Sequence, residues 1–237
     1  MNSEQVAARE AQLSGNWWRR WLQSVPGQIL ANTPVYGVAR EMVVQPEWRV
    51  LEIGCGAGSR LLVLDQSMRL ARTAAGVEPS LKLAATAQRA FGEAARPLSP
   101  IVADPAALPF GDGVFDLAVS VDLLRFLDVR AAQATLREAA RVLRPGALLL
   151  AWEIAPPEGR FAWWQRLWSR GYGGRLASAR SLMSLAERSG FTYTRDARRR
   201  PFFWPPVPRA SFVAGVFPEG AAVSGEPVED EAVSRGA

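Results

Sequence analysis

A chain of 237 residues, 49% hydrophobic and 22% charged, can bury one sizeable core and is by composition neither fibrous nor disordered. One cysteine and no histidine exclude an internal disulfide and argue against a structural zinc site. The formal charge is +5, but Glu219 to Ala237 hold five acids and one arginine, net −4, which leaves about +9 on the other 218 residues. So positive a body suits nucleic acid, an anionic membrane, or merely a soluble arginine-rich surface.

In chain order, residues 5–24 read as a helix, with Trp18, Trp21, Leu22 and Val25 at i, i+3, i+4, i+7 spacing and Pro26-Gly27 as its stop. A second short helix opens at Thr33-Pro34. The period then changes. Residues 49–53 form an apolar strand that runs into Gly54-Cys55-Gly56-Ala57-Gly58, and a helix follows over 59–73. Gly76-Val77-Glu78 ends a second strand, and Ser80 caps a helix to about Phe91. Strands are expected at 101–104 and 114–120, a helix at 131–143 stopped by Arg144-Pro145-Gly146, and a fifth strand at 148–152. An insert, a helix at 179–189 and strands at 191–194 and 211–216 complete the body.

Strands separated by helices indicate βαβ units and an open, mostly parallel α/β sheet with helices on both faces. The expected organisation is an aromatic-basic helical cap at 1–33, the α/β body at 34–218 with a Trp-rich insert at 154–178, and a disordered acidic tail at 219–237. The chain opens on no leader pattern, and no apolar run nears the ~20 residues of a spanning helix. The expectation is a cytoplasmic protein, with membrane-surface association open.

Glu52-x-Gly54-x-Gly56-x-Gly58 between strand and helix lets the chain turn sharply and a ligand approach the backbone. A plain tight turn would also explain it. Glu78, twenty residues beyond Gly58, stands where a carboxylate can accept both hydroxyls of a ribose. Asp104, expected to end the third strand, is suited to accept from an exocyclic adenine amine. Dinucleotide loops read G-x-G-x-x-G, whereas position 59 is Ser, and no P-loop lysine is present. The charge of Glu52 suits an ammonium or sulfonium better than phosphates, although Glu52 could instead bind backbone amides.

These blocks, with Leu108-Pro109-Phe110, Phe115-Asp116 and Leu143-Arg144-Pro145-Gly146-Ala147-Leu148-Leu149, resemble the class I methyltransferase family. The narrower resemblance is to its ubiquinone/menaquinone-biosynthesis and small-molecule branch, over roughly residues 35–155. It implies a seven-stranded Rossmann-like sheet with the last strand antiparallel, and S-adenosyl-L-methionine as cofactor. It implies that the glycine loop (Gly54, Cys55, Gly56, Gly58, beside Glu52) holds the methionine part, Glu78 the ribose and Asp104 the adenine amine. Pro79, Pro105 and Ser120 belong to the same expected set, with Leu81 and Ala106 near the adenine. No metal is expected.

Many relatives carry histidines after the fourth strand, where this chain reads Ser120-Val121-Asp122-Leu123-Leu124-Arg125-Phe126. Either the acceptor is already nucleophilic, or Asp122 or a tyrosine assists, or activity has been lost. Asp122 is the acidic candidate for base or acceptor-orienting group, ahead of Tyr172 and Glu153; a local cap is the plainer account. Cys55 reads as a small packing residue.

Of nine tryptophans, seven cluster with arginines at 17–21, 163–170 and 198–204. They either pack added helices on the body, or meet a small, hydrophobic or lipid-like acceptor at a membrane surface. Stacking on nucleic acid is disfavoured, because the arginines form short clusters. Rival functions are a non-catalytic cofactor-binding partner subunit and an NAD-dependent oxidoreductase.

Overall fold

The computed structural model describes residues 1–13, 44–70, 74–96, 98, 100–159, 162–169, 174–197 and 209–218, with positions 17, 21, 24, 26 and 27 singly. The expected helix after Thr33, Tyr172, the cluster at 198–204 and the tail at 219–237 lie outside them.

Seven strands form one sheet in the order β3-β2-β1-β4-β5-β7-β6. They are β1 (Val50–Ile53), β2 (Ala75–Val77), β3 (Pro100–Ile101), β4 (Phe115–Val121), β5 (Leu143–Ile154), β6 (Tyr193–Asp196) and β7 (Arg209–Gly215). β1 pairs parallel with β2 and β4, β2 with β3, and β4 with β5, whereas β7 runs antiparallel to β5 and β6. The chain order reverses between β1 and β4, the switch point at which open α/β sheets take ligands.

The helices are α1 (Ser3–Leu13), α2 (Ser59–Met68), α3 (Leu81–Glu93), α4 (Val129–Val142), α5 (Ala162–Ser169) and α6 (Ala179–Glu187). Caps of the expected chemistry open three of them: Ser80, Asp128 and Ser178 accept from Leu83 N–H, Ala131 N–H and Ser181 N–H.

Strand periodicity divides the core in two. Leu51, Ile53, Ala118, Leu149 and Phe212 face α4 and α6, with Leu136, Ala139 and Leu182 across from them. Val50, Leu117, Val119, Val121, Leu150 and Trp152 face the other way, onto Leu61, Leu64, Ala87 and Phe91 of α2 and α3. Both faces of the central strands are covered, which is why these segments are apolar at nearly every position.

Three expectations need correction. β3 holds only Pro100–Ile101, so Asp104 sits in the loop beyond it. The Arg144-Pro145-Gly146 stop lies inside β5, at a register shift where Phe115 pairs Leu143 and Leu117 already pairs Leu148; the extra residues bulge outward, exposed. α1 starts at Ser3 and ends at Leu13, and most of the expected helix beyond it lies outside the described residues.

Gly58 is required by packing. It has φ +82°, and an added Cβ would stand 2.6 Å from the Phe91 ring and 2.9 Å from Ala87 Cβ. Its missing side chain lets α3 approach the start of α2, rather than admitting a ligand. Gly58→Ala should destabilise the protein by about 1–3 kcal/mol, read as a lowered urea midpoint; an unchanged midpoint would show that the contact with Phe91 is slack.

Candidate functional site

The carboxyl ends of β1, β2 and β4 meet at one rim. Gly54 and Cys55 follow β1 and donate their N–H groups to Val77 O at 2.7 and 3.0 Å, so the glycine loop is tied to β2. Glu78, the next residue, is fully buried. Its Oε2 accepts from Gly56 N–H at 2.8 Å and its Oε1 from Ser80 N–H at 3.2 Å. One carboxylate therefore fixes the loop after β1 to the start of α3.

The same carboxylate has a partner that sequence reasoning missed. Arg9, on α1, is 0% exposed. Its Nε lies 3.4 Å from both Glu78 oxygens and its Nη2 3.2 Å from Oε2. Nη2 also donates to Gly54 O at 2.8 Å, and Nη1 donates to Asp122 O at 2.6 Å. Glu10, its neighbour, accepts from Ser80 Oγ at 2.5 Å, and Leu13 packs where a Cβ on Gly56 would reach, at 3.4 Å. The first helix was expected as a cap, on the strength of its tryptophans. Among the described residues its contact with the rim is made by an arginine eight residues before the first of them, and no periodicity marks that residue.

Glu52 does not present free charge to the rim. It shares the β1 face of Val50, toward α2, and pairs with Arg60 at 2.7 Å. Arg60 Nη2 reaches Val121 O at 3.2 Å. Burial pushes the Glu52 carboxyl up, against the pull of Arg60, and one of its oxygens has no hydrogen-bond partner. The expectation that its charge favours a cationic ligand is therefore corrected, since the pair is neutral as a unit. Cys55 is buried against Gly76 and Leu61, and burial pushes its thiol up, as suits a packing residue. Ser120 is buried beside Ile53, with its hydroxyl unpartnered. Asp104 is half-exposed and accepts from Met1 N at 2.6 Å and Ala106 N–H at 2.9 Å. Pro79 is half-buried and Pro105 buried; Leu81 is exposed.

Asp122 has the left-handed φ of +54°, which an aspartate tolerates. Its carboxylate lies 3.4 Å from Arg125 Nε and 3.5 Å from Arg209 Nη1. Burial opposes ionisation, but Arg125, Arg209, Arg60 and Arg9 hold this group below the ordinary aspartate range. An aspartate so held is a weak proton acceptor and a good orienting group.

Glu153 is its opposite. It lies at the end of β5, 2% exposed, and Oε1 accepts from Leu123 N–H at 2.9 Å and Leu124 N–H at 2.7 Å. Oε2 has no hydrogen-bond partner. Burial first, then Asp122, push its pKa up to about 7, against Arg125 and the two N–H groups. It borders a cavity of about 10 Å³ with Arg125, Arg175 and Leu182, which is room for one water. Among the described residues no group of acids and cysteine suits a metal ion.

Residues 50–146 match the family model of a methyltransferase domain. Demethylmenaquinone methyltransferase of Mycobacterium tuberculosis H37Rv is 49% identical over 65 residues, 27% of this chain and 26% of that protein. The matched stretch thus spans about a quarter of these curated relatives. Among solved structures, the cyclase SpnF is 26% identical with a TM-score of 0.56, covering 68% of this chain and 57% of its own. A methyltransferase of Thermotoga maritima, titled a possible histamine N-methyltransferase, is 22% identical with a TM-score of 0.58, covering 89% and 97%; at that identity it speaks for the fold. The matched stretch ends with β4, α4 and the start of β5, so the insert with α5, α6 and the last two strands lie beyond it.

Glu153 gives the protein a signature in pH. A carboxyl raised in the folded state binds its proton more tightly there than when unfolded. Its stabilising contribution is full below about 4.5 and is lost as pH rises through about 7. At ~1.4 kcal/mol per pH unit the loss is at most on the order of 3 kcal/mol. Glu153→Gln should flatten the fall in unfolding free energy between these pH values; a parallel fall in both proteins would place the titration elsewhere.

Proposed function

We propose that this chain transfers the methyl group of S-adenosyl-L-methionine to a small, hydrophobic, quinone-like acceptor. The observation that carries the reading is the pair of Glu78 oxygens at the switch point. A carboxylate has about four acceptor positions, and the Gly56 and Ser80 N–H groups take one on each oxygen. Arg9 takes the remaining one on each, and where its guanidinium withdraws they serve the two hydroxyls of a ribose. The cradle fits as well. Gly54 and Gly56 have positive φ, and the carbonyls of Gly54 and Asp122 already accept from a cation, the Arg9 guanidinium. Phosphates would meet these carbonyls and Glu78 as like charges, which disfavours a dinucleotide.

Bound there, the cofactor supplies an electrophilic methyl group on a sulfonium with a good leaving group. The chain's own residues then have to align and to exclude water. The Gly54 and Asp122 carbonyls orient the cationic part, Glu78 the ribose, and Asp104 the adenine amine. Asp122, ionised between Arg125 and Arg209, orients the acceptor and takes no proton. The quinone-like acceptor rests on the names of the curated relatives, demethylmenaquinone methyltransferases. Asp104→Ala should weaken S-adenosylhomocysteine binding about tenfold in calorimetry; unchanged affinity would remove Asp104 from the site.

The insert supports access from a lipid surface. On α5, Trp163 and Leu167 are 65% and 52% exposed, one turn apart, beside Arg166. Tryptophan with arginine suits the interface of an anionic bilayer, and Trp163 makes its ring contact within the same helix, edge-on to Trp164 at 5.6 Å. No described helix is long and apolar enough to cross a membrane. The double variant Trp163→Ala, Leu167→Ala should lose sedimentation with phosphatidylglycerol vesicles at low salt; wild-type protein that stays in the supernatant would end the membrane reading.

A further inference from the structure

The geometry points to Arg9 as an internal occupant of the cofactor site, so that cofactor binding requires its guanidinium to leave. The inference rests on the reading of the rim as the place of a cationic nucleoside cofactor, and concerns how that place is controlled.

Arg9 satisfies the acceptors that such a cofactor needs. Its Nη2 and Nη1 take Gly54 O and Asp122 O at 2.8 and 2.6 Å, the carbonyls at the carboxyl ends of β1 and β4. Its Nε and Nη2 take the remaining acceptor position on each Glu78 oxygen. A ribose diol and this guanidinium therefore compete for the same lone pairs. They also compete for the same volume. The nearest atoms to a Cβ on Gly54 include Arg9 Nη2 at 3.1 Å, and over Gly56 stands Leu13 Cδ1 at 3.4 Å. The room over Gly56 is filled by α1, and that over Gly54 by Arg9 of α1 together with Leu123.

Chemistry explains why an arginine serves. The rim presents two carbonyl oxygens and a buried carboxylate, which without a cation would be left unsatisfied. Arg9 supplies one positive charge and a planar set of donors. It is buried on every side, with Phe126 5.7 Å from its guanidinium carbon. The helix is anchored further through Glu10 and Ser80, the residue that also caps α3. Removing Arg9 from the rim thus releases α1 from its main polar anchor, and cofactor binding and α1 docking oppose each other. The apparent affinity is lowered by the fraction of molecules in which α1 is docked.

The test uses the full chain and S-adenosylhomocysteine. Arg9→Ala should bind it at least about fivefold tighter than wild type in calorimetry, the lower end of ordinary coupling between two competing states. In the wild type, hydrogen exchange of the amides of residues 3–13 should accelerate when S-adenosylhomocysteine is added. This second measurement decides the matter if Arg9→Ala fails to fold. Binding by the variant alone would also support the inference. Equal or weaker binding by Arg9→Ala, or slower or unchanged exchange in α1 on saturation, would overturn it and leave the cofactor reading intact. No binding by either protein would overturn both.

Discussion

The buried carboxylate of Glu78 is the constraint around which the rim is built. A charge taken fully out of water must be matched on every lone pair, and the partners come from three separate parts of the chain. Gly56 belongs to the loop after β1, Ser80 to the cap of α3, and Arg9 to a helix more than sixty residues upstream. Each partner is a structural tie. Through them the glycine loop keeps its shape, α3 keeps its start, and α1 has its place on the body.

Around this junction the rim is a lattice of arginines and acids. Arg9 faces Glu78, Arg60 faces Glu52, and Arg125 and Arg209 face Asp122. With no histidine in the chain, the groups able to move a proton are few. The arginines hold Asp122 ionised, while burial keeps Glu153 protonatable near neutrality. Glu153 is spent on the backbone of Leu123 and Leu124, and so shapes the loop that carries Asp122 rather than reaching an acceptor. Such a rim is built for binding and alignment, which is what displacement at a sulfonium asks of a protein.

The fold leaves the chemistry open. A structure of the same architecture is titled a cyclase, and sites grafted on folds, rather than folds, carry function. What singles out this chain is the loop, the carboxylate and the two carbonyls at the switch point, together with the added elements: a helix that reaches into the rim, and an insert that turns tryptophan outward.

Much of this was legible in the sequence. Short, nearly continuous apolar runs located β1, β4 and the body of β5, because both faces of those strands are buried. Ser80 and the glycine loop announced themselves through turn and cap chemistry, which is local. Glu78 was placed by its distance from the loop, since a βαβ unit has a nearly constant length. Tertiary structure alone decided the rest. Glu52 and Arg60 meet because strand alternation points Glu52 at α2. Gly58 is needed because Phe91 crosses it. Asp104 lies beyond a strand that stops at Ile101. Arg9 reaches Glu78 across the whole first βα unit. A sequence specifies which charges exist and which backbone turns are cheap; which charge ends beside which is set when distant segments pack, because ion pairs carry no periodicity along the chain.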